Sequence, residues 1–229
     1  MQTPLPRETI VDVLEGRLGE DIVAGLHPAG SYLPPERQLA EGYGVTRTTL
    51  KHAFGRLIQA GLLETRHGIG TQVRDFARLG GADLLPLLVR HSPDWLDEIF
   101  EVRHSVGTLI AERAALRATE EQLGELTVLL DAVRTAEGGE KAQLADIEVH
   151  RSLARATGNR VYALLTNTLF KAYLPMRTSF DAPFTDPAAA YRRLSPVVEA
   201  VLARDADSAR YAADMYLTET GRMMLEELS

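Results

Sequence analysis

The sequence predicts a mainly α protein, with an N-terminal winged helix-turn-helix followed by an all-α bundle of about seven helices. Two short helical segments on either side of Gly44 precede two short strands with a glycine-rich tip between them. This order predicts three helices and a two-stranded wing. Beyond residue 82 the apolar residues recur at helical spacing almost throughout, which predicts a helical bundle.

The first domain is predicted over residues 1–76 and holds the helix-turn-helix and the wing. Pro35 suits the entry of a short helix, and Gly44 can take the left-handed conformation that ends it. Thr46 has the side chain of an N-cap for the third helix. The predicted elements are helices over 6–26, 36–43 and 47–60 and strands over 62–66 and 71–74.

A linker is predicted over residues 77–82, where Gly80 and Gly81 interrupt the pattern. The second domain is predicted over 83–229. Its breaks fall at glycine and proline, as at Pro93 and Gly158. The predicted helices cover 83–91, 94–117, 119–136, 140–157, 160–180, 187–203 and 206–227.

Composition limits the cellular setting and the class of partner. The chain has no cysteine and no run of 18 apolar residues, and its N-terminus lacks a secretory pattern, so we expect a cytoplasmic protein without membrane contact. The net charge of −7 gives no support for nucleic-acid binding. Residues 1–75 are near neutral, with 8 Lys/Arg against 9 Asp/Glu. Any DNA contact must therefore depend on where single charges lie.

The polar and charged residues at the predicted recognition helix and wing tip do favour DNA binding. The third predicted helix would enter the major groove with Arg47 at its start, and an Arg can bond guanine O6 and N7 together. Lys51 lies one helical turn after Arg47. Arg37 can contact the DNA backbone, and His67 lies at the wing tip. The candidate DNA-binding residues are Arg37, Thr46, Arg47, Thr48, Thr49, Lys51, His67 and Gly68. Double-stranded DNA is the predicted partner.

Three segments resemble the GntR family of bacterial transcription factors: residues 35–40, 45–50 and 67–71. The helical remainder resembles the effector domain of the family's FadR subgroup, through Arg103, the segment from Asp146 to Asn159, and residues 200–209. The resemblance implies a homodimer that binds a palindromic operator and is released or retained according to a small-molecule effector; a repressor is expected, and an activator stays open. The helical domain shows no Gly-rich phosphate loop, no Ser–His–Asp arrangement and no complete metal triad, so we expect no enzymatic activity. An enzyme, or an architectural DNA binder that senses nothing, remains as an alternative.

Asp146 and His150 are four residues apart and so share a helix face, the spacing of two metal ligands. Many members of the subgroup complete a divalent metal site with two later histidines. The matching positions here are Leu194 and Tyr216, and no His follows residue 150. We therefore expect a hydrogen-bonded Asp–His pair and no required cofactor. The alternative is a metal at Asp146 and His150 that holds a sugar acid or another organic acid.

The chain is similar to the fatty-acid-responsive FadR proteins, which lack the metal set and bind long-chain acyl-coenzyme A. The resemblance implies that acyl-CoA releases the protein from its operator. Gly107 and Gly221 would leave room for the acyl chain, and Arg103 or Arg177 would meet a carboxylate or phosphate. For the aromatic positions, plain core packing is the alternative. The implied ligand-binding residues are Arg103, Gly107, Tyr173, Arg177, Phe180, Tyr216, Glu219 and Gly221.

Overall fold

The computed structural model describes residues 9–92 and 94–226, and the chain divides into two compact units, Met1–Ser92 and Pro93–Ser229. The predicted start of the first helix at residues 6–8 lies outside the described residues. Within the described ranges, no helix combines the length and the apolar character that a membrane crossing needs. The predicted fold class, a winged helix-turn-helix followed by helices, is confirmed.

The helix-turn-helix forms as the sequence predicts. Helix α1 begins after a capping box in which Thr9 and Asp12 each bond the other's backbone N–H. Leu18 of α1 and Leu50 and Leu57 of α3 are fully buried where the two helices pack together. The first elements are α1 (Ile10–Val23), α2 (Glu36–Gly42), α3 (Arg47–Gln59), β1 (Leu63–Arg66) and β2 (Gly70–Val73).

The turn between α2 and α3 depends on two predicted residues. Gly44 has φ +66°, the left-handed conformation that a side chain would strain. The Thr46 hydroxyl accepts the backbone N–H of Thr49 at 3.1 Å and caps α3. Both predictions are confirmed, and together they fix where α3 starts.

The wing makes a further backbone contact that the sequence did not predict, an isolated β-bridge between Tyr32 and Gln72 of β2. β1 and β2 pair antiparallel from Leu63 opposite Val73 to Arg66 opposite Gly70. Leu33 N–H donates to Thr71 O at 2.9 Å, and Val73 N–H donates to the Ser31 carbonyl at 2.9 Å. Prolines on both sides interrupt any alternation at residues 30–33, which therefore look like a simple break in the sequence.

The segment after the wing differs from the predicted linker. It contains α4 (Phe76–Leu79), a 3-10 helix (Ala82–Leu84) and α5 (Leu85–His91), and α5 packs against α1 of the first unit. Leu88 and Val89 are buried there. Helix α5 was predicted to open the second domain at residue 83, whereas the observed division falls after Ser92. The physical reason is the apolar face of α5, which α1 covers.

Six α-helices form the described part of the second unit, with α6 packed against α8, α9, α10 and α11. Two 3-10 helices, Leu174–Ser179 and Ala182–Phe184, join α9 to α10. The helix predicted over 160–180 ends at Tyr173, because Pro175 has no N–H to continue it. The helices are α6 (Trp95–Arg117), α7 (Glu120–Arg134), α8 (Gly139–Ala156), α9 (Arg160–Tyr173), α10 (Pro187–Leu202) and α11 (Ala206–Glu226).

Candidate functional site

The start of α3 presents cations to solvent. Arg47, Thr48 and Lys51 are exposed. The hydroxyls of Thr46 and Thr49 bond each other at 2.9 Å, so both are engaged in the helix cap. Three of the predicted DNA-binding residues at this helix start are therefore exposed and take no part in the cap: Arg47, Thr48 and Lys51.

A groove runs between the start of α3 and the wing. Arg37 and Arg47 line one side of it, and His67 and Gly68 line the other. Gly68 has φ +75°, which lets the chain turn tightly at the wing tip. The structure thus brings four predicted DNA-binding residues, from α2, α3 and the hairpin, around one concave surface.

A carboxylate lies among these cations. Glu36 Oε2 is 3.6 Å from Arg47 Nη2 and 3.9 Å from Lys51 Nζ. Arg37 pairs separately with Glu41 at 2.9 Å. Sequence reasoning missed Glu36, although its place as the first residue of α2 was visible. The charge of the two recognition-helix cations is therefore partly neutralised before any DNA arrives.

The second unit contains a cavity of about 30 Å³, room for a few water molecules. Four helices surround it, and most of its wall is apolar. Arg103 supplies a charged group, and His150, Thr166 and Tyr173 supply polar ones. The lining residues are Arg103, Val106, Gly107, Ile110, His150, Thr166, Leu169, Phe170, Tyr173 and Leu217.

A buried polar cluster adjoins the cavity. Arg103 and Asp146 are 7% and 2% exposed, which is unusual for charged groups. The Tyr216 hydroxyl donates to Asp146 Oδ1 at 2.5 Å. His150 Nε2 lies 3.7 Å from Asp146 Oδ2 and makes no hydrogen bond. The expected Asp146–His150 hydrogen bond is thus absent among the described residues, since 3.7 Å exceeds a hydrogen-bond distance, and Tyr216 is the hydrogen-bond partner of Asp146 instead.

Burial controls the protonation of this cluster. Burial raises the pKa of Asp146 to about 6, although the Tyr216 hydrogen bond and the charge of Arg103 oppose the rise. Burial and then Arg103 lower the pKa of His150 to about 3. Burial also opposes the charge of Arg103, but Tyr173, Tyr216 and Asp146 leave its pKa above the ordinary value. At neutral pH the cluster therefore holds a cationic Arg103, a mostly ionised Asp146 and a neutral His150.

Aromatic rings enclose these charges. Tyr173 lies 5.7 Å from Phe100, 5.7 Å from Phe170 and 5.9 Å from Phe180, measured between ring centroids. The Arg103 guanidinium lies 5.5 Å from the centroid of Phe100. Tyr173 lines the cavity, whereas Phe180 is fully buried behind it, so core packing describes Phe180.

Several predicted ligand-binding residues lie elsewhere. Glu219 is exposed, and Arg177 pairs with Glu140 at 2.7 Å outside the cavity. A side chain at Gly107 would meet Leu217 at 2.6 Å, and one at Gly221 would meet Phe100 at 3.4 Å. Gly107 lines the cavity, but Leu217 lies directly beside its Cα, and the Phe100 ring is in contact range of Gly221, so neither glycine leaves room for an acyl chain next to it. Both glycines serve the close packing of α6 against α11.

The donor set around Asp146 does not fit a divalent metal. Tyr216 occupies one carboxylate oxygen, and Leu194, which the family resemblance matches to a metal-binding histidine, is a fully buried apolar residue. Among the described residues no cluster of three or more His, Cys, Asp or Glu could hold a metal ion. Two protein ligands give a weak site.

Helix α9 supplies four of the lining residues, of which Tyr173 was predicted and Thr166, Leu169 and Phe170 were missed. Thr166, Leu169, Phe170 and Tyr173 of α9 follow the spacing i, i+3, i+4, i+7 and face the cavity together. The sequence signal was this i, i+3, i+4, i+7 pattern, which is equally typical of a helix face packed in an ordinary hydrophobic core. Only the neighbouring charge of Arg103 distinguishes it from core.

Comparison with known families agrees with both units. Residues 10–73 match the bacterial regulatory proteins of the gntR family, and residues 98–219 match the FCD domain. The FCD match alone covers more than half of the chain. The protein therefore belongs to the GntR family of DNA-binding transcriptional regulators, with an FCD effector domain, and this is a family of regulators and not of enzymes.

Individual relatives agree with this assignment. An uncharacterized HTH-type transcriptional regulator of Mycobacterium tuberculosis, Rv0494, is 34% identical over 97% of this chain and 93% of its own length. The fatty acid metabolism regulator protein of Edwardsiella ictaluri is 34% identical over 86% of this chain and 81% of its own. The solved structure of Streptococcus agalactiae GntR, 26% identical, covers 93% of this chain and 100% of its own, with a TM-score of 0.51.

The buried His150 predicts a specific pH dependence of stability. In the unfolded chain a His titrates near pH 6.5, so the stability gained from neutral His150 is complete above that pH and is lost as pH falls towards 3. Asp146 acts in the opposite sense, since its stability is complete below pH 3.8 and is lost as pH rises through 6. Between pH 7 and 5 His150 therefore lowers the free energy of unfolding by on the order of 2 kcal/mol, and Asp146 raises it by on the order of 1 kcal/mol.

We expect His150→Gln to remove the first of these two contributions. The free energy of unfolding of the variant, relative to the wild type, should rise by about 2 kcal/mol from pH 7 to pH 5. Urea denaturation at each pH measures it. Between pH 7.5 and 8.5 neither group changes charge, so the difference should stay constant there. A difference that is also constant between pH 7 and 5 would mean that His150 titrates at the same pH in the folded and the unfolded chain, so that burial does not lower its pKa.

Proposed function

We propose that this regulator is a homodimeric repressor that reads a palindromic operator and that a long-chain acyl-coenzyme A releases it. The observation that carries the proposal is the cavity beside buried Arg103, a cation among apolar and aromatic walls. A fatty acyl thioester has both matching parts, an apolar chain and polar or anionic groups. Identity of 34% to proteins named fatty acid metabolism regulators supports the same ligand class.

The DNA-reading role is assigned to the groove between α3 and the wing. Arg47 is placed to meet a guanine, and His67 and Gly68 to approach the adjacent minor groove. The predicted contacts of Arg37, Thr48 and Lys51 are with phosphates. Because residues 1–75 are near neutral, one domain offers few phosphate contacts. A dimer on a two-fold operator doubles them, which is the reason for proposing it.

Arg47→Ala should abolish preference for the operator and leave the fold intact. Each half-site loses about 1–3 kcal/mol with its bidentate guanine contact, and a two-fold complex loses it twice. An operator is first obtained by selecting a random duplex library with the wild type. Fluorescence anisotropy then gives affinity, and the same titration at high DNA concentration should end at two protomers per duplex. Thr48→Ala is the matched control with a milder loss.

Unchanged operator affinity for Arg47→Ala would overturn the assignment of the reading residue. An end point of one protomer per tightly bound duplex would overturn the dimer.

Effector binding requires the cavity to open. A volume of about 30 Å³ holds no acyl chain, so α6, α9 and α11 must move apart on binding. Each buried CH₂ supplies about 0.8 kcal/mol, part of which is spent on that opening. Arg103 and His150 Nε2 then offer a cation and an unpartnered polar atom to the thioester or its phosphates. DNA affinity falls by the difference in ligand affinity between the two conformations, and by no more.

Val106→Trp should block acyl-CoA binding. Val106 lines the cavity and is only half-buried, so the indole can fill the space without the collision with Leu217 that a side chain at Gly107 would cause. Calorimetry with palmitoyl-coenzyme A should show affinity lost by at least roughly tenfold. Operator binding should persist. Val102→Trp, one turn earlier and 49% exposed, is the matched control.

The same titration distinguishes the alternative effector. Citrate with zinc is run beside palmitoyl-coenzyme A. Heat from the citrate and zinc pair alone, with one metal bound per protomer, would mean that Asp146 and His150 hold a metal and that the effector is a small carboxylate.

A further inference from the structure

The DNA-contact surface contains a carboxylate whose position has consequences for specificity. Glu36 opens α2 and lines the groove together with Arg47. Its Oε2 lies 3.6 Å from Arg47 Nη2 and 3.9 Å from Lys51 Nζ, so one carboxylate faces two cations of the recognition helix. Both distances exceed a hydrogen bond, and both cations are 63% exposed. These pairs are held by charge and can be exchanged for other partners.

A carboxylate at this place opposes binding to phosphate. Sequence-independent affinity for DNA comes almost entirely from cations that neutralise phosphates. A cation that stays beside Glu36 is partly neutralised already, and a cation that leaves it exposes an uncompensated carboxylate to the phosphate chain. Glu36 therefore weakens binding to any duplex on which Arg47 and Lys51 meet phosphates alone.

The same carboxylate favours a contact with a base. Arg47 has five N–H donors, and a guanine edge uses two of them. The remaining N–H groups can stay directed at Glu36, which limits the rotamers of a long side chain that loses entropy when it is fixed. An Arg47 side chain that Glu36 already orients therefore loses less conformational entropy on binding the operator than an unrestrained Arg side chain would.

From these two effects we infer that Glu36 is a positioning and specificity-determining residue, which holds Arg47 for a guanine edge and penalises random DNA. The inference rests on the proposed reading role of Arg47. Under this inference Glu36 contacts no DNA itself. It nevertheless accounts for a large share of the ratio between operator affinity and random-DNA affinity.

The test compares Glu36→Gln with Glu41→Gln in the full-length protein. Glu41 lies on the same helix but pairs with Arg37, so the two variants change net charge equally. The probes are the operator selected by the wild type and a random duplex of equal length, titrated at several salt concentrations. Thermal melting followed by circular dichroism checks that both variants fold.

Glu36→Gln should bind random DNA roughly threefold to tenfold more tightly, with a salt slope steeper by about 1 per protomer. Its operator-over-random ratio should fall roughly tenfold, and a fresh selection should show relaxed preference at one guanine in each half-site. Glu41→Gln should keep the selected sequence. Glu36→Asp, which retains the charge, should keep random-DNA affinity near the wild-type value.

Two results overturn the inference. Equal changes in both Gln variants would show an effect of bulk charge, and an unchanged base preference in Glu36→Gln would show that Arg47 needs no buttress. A wild type that selects no common sequence would instead overturn the proposed operator reading itself. The wild-type selection thus separates the two failures.

Discussion

Burial of opposite charges in the helical unit is the constraint on which the effector site depends. Arg103 on α6 and Asp146 on α8 are both shielded from water, and charged groups tolerate this only when partners surround them. Tyr216 on α11 and Tyr173 on α9 supply those partners. Four helices therefore meet at one polar cluster. Any group that changes its pairing also changes how the four helices pack.

The cavity follows from the same cluster. Apolar side chains cannot fill the space beside a guanidinium and an imidazole without leaving polar atoms unpaired, and His150 Nε2 is already without a hydrogen bond. A ligand that brings a polar atom to this place can form the hydrogen bond that an apolar core side chain would leave unmade. The buried charges thus make the empty cavity costly, and under the proposed function they would favour ligands with a polar end.

The DNA-binding unit follows the opposite rule, since its functional charges are exposed and its positions are fixed by apolar packing. Leu18, Leu50 and Leu57 hold α3 against α1, and the Thr46 cap fixes where α3 starts. Arg47 is therefore presented from a rigid element. Because the unit is near neutral, its function depends on placement and on Glu36, which limits how freely the cations meet phosphate.

Features coded by a few adjacent residues were predictable from the sequence. Gly44 and Thr46 define their turn and cap locally, and both were predicted. The bridge between residues 30–33 and β2 joins parts of the chain about forty residues apart, and the flanking prolines hide it from sequence reasoning. The direction in which individual side chains and helix faces point could also not be predicted from the sequence. Glu219 lies on the exposed face of α11, and α5 packs on α1 although it follows a glycine pair.

Within the candidate site, residue types were predictable and their pairings were not. Asp146 and His150 share a helix face, yet the carboxylate bonds Tyr216, seventy residues further along the chain. Glu36 was visible next to Arg37, but its approach to Arg47 depends on the angle between α2 and α3. Such pairings arise only when separate helices pack, so spacing along one helix gives no information about them.

The coupling between effector and DNA is tested most directly by two titrations of the same protein. One measures operator affinity at rising palmitoyl-coenzyme A, and the other measures palmitoyl-coenzyme A affinity with and without saturating operator. Coupling free energy is reciprocal, so both affinities must weaken by the same factor, which we predict to be roughly 10 to 100. An operator affinity that stays constant at saturating palmitoyl-coenzyme A would contradict the proposed switch.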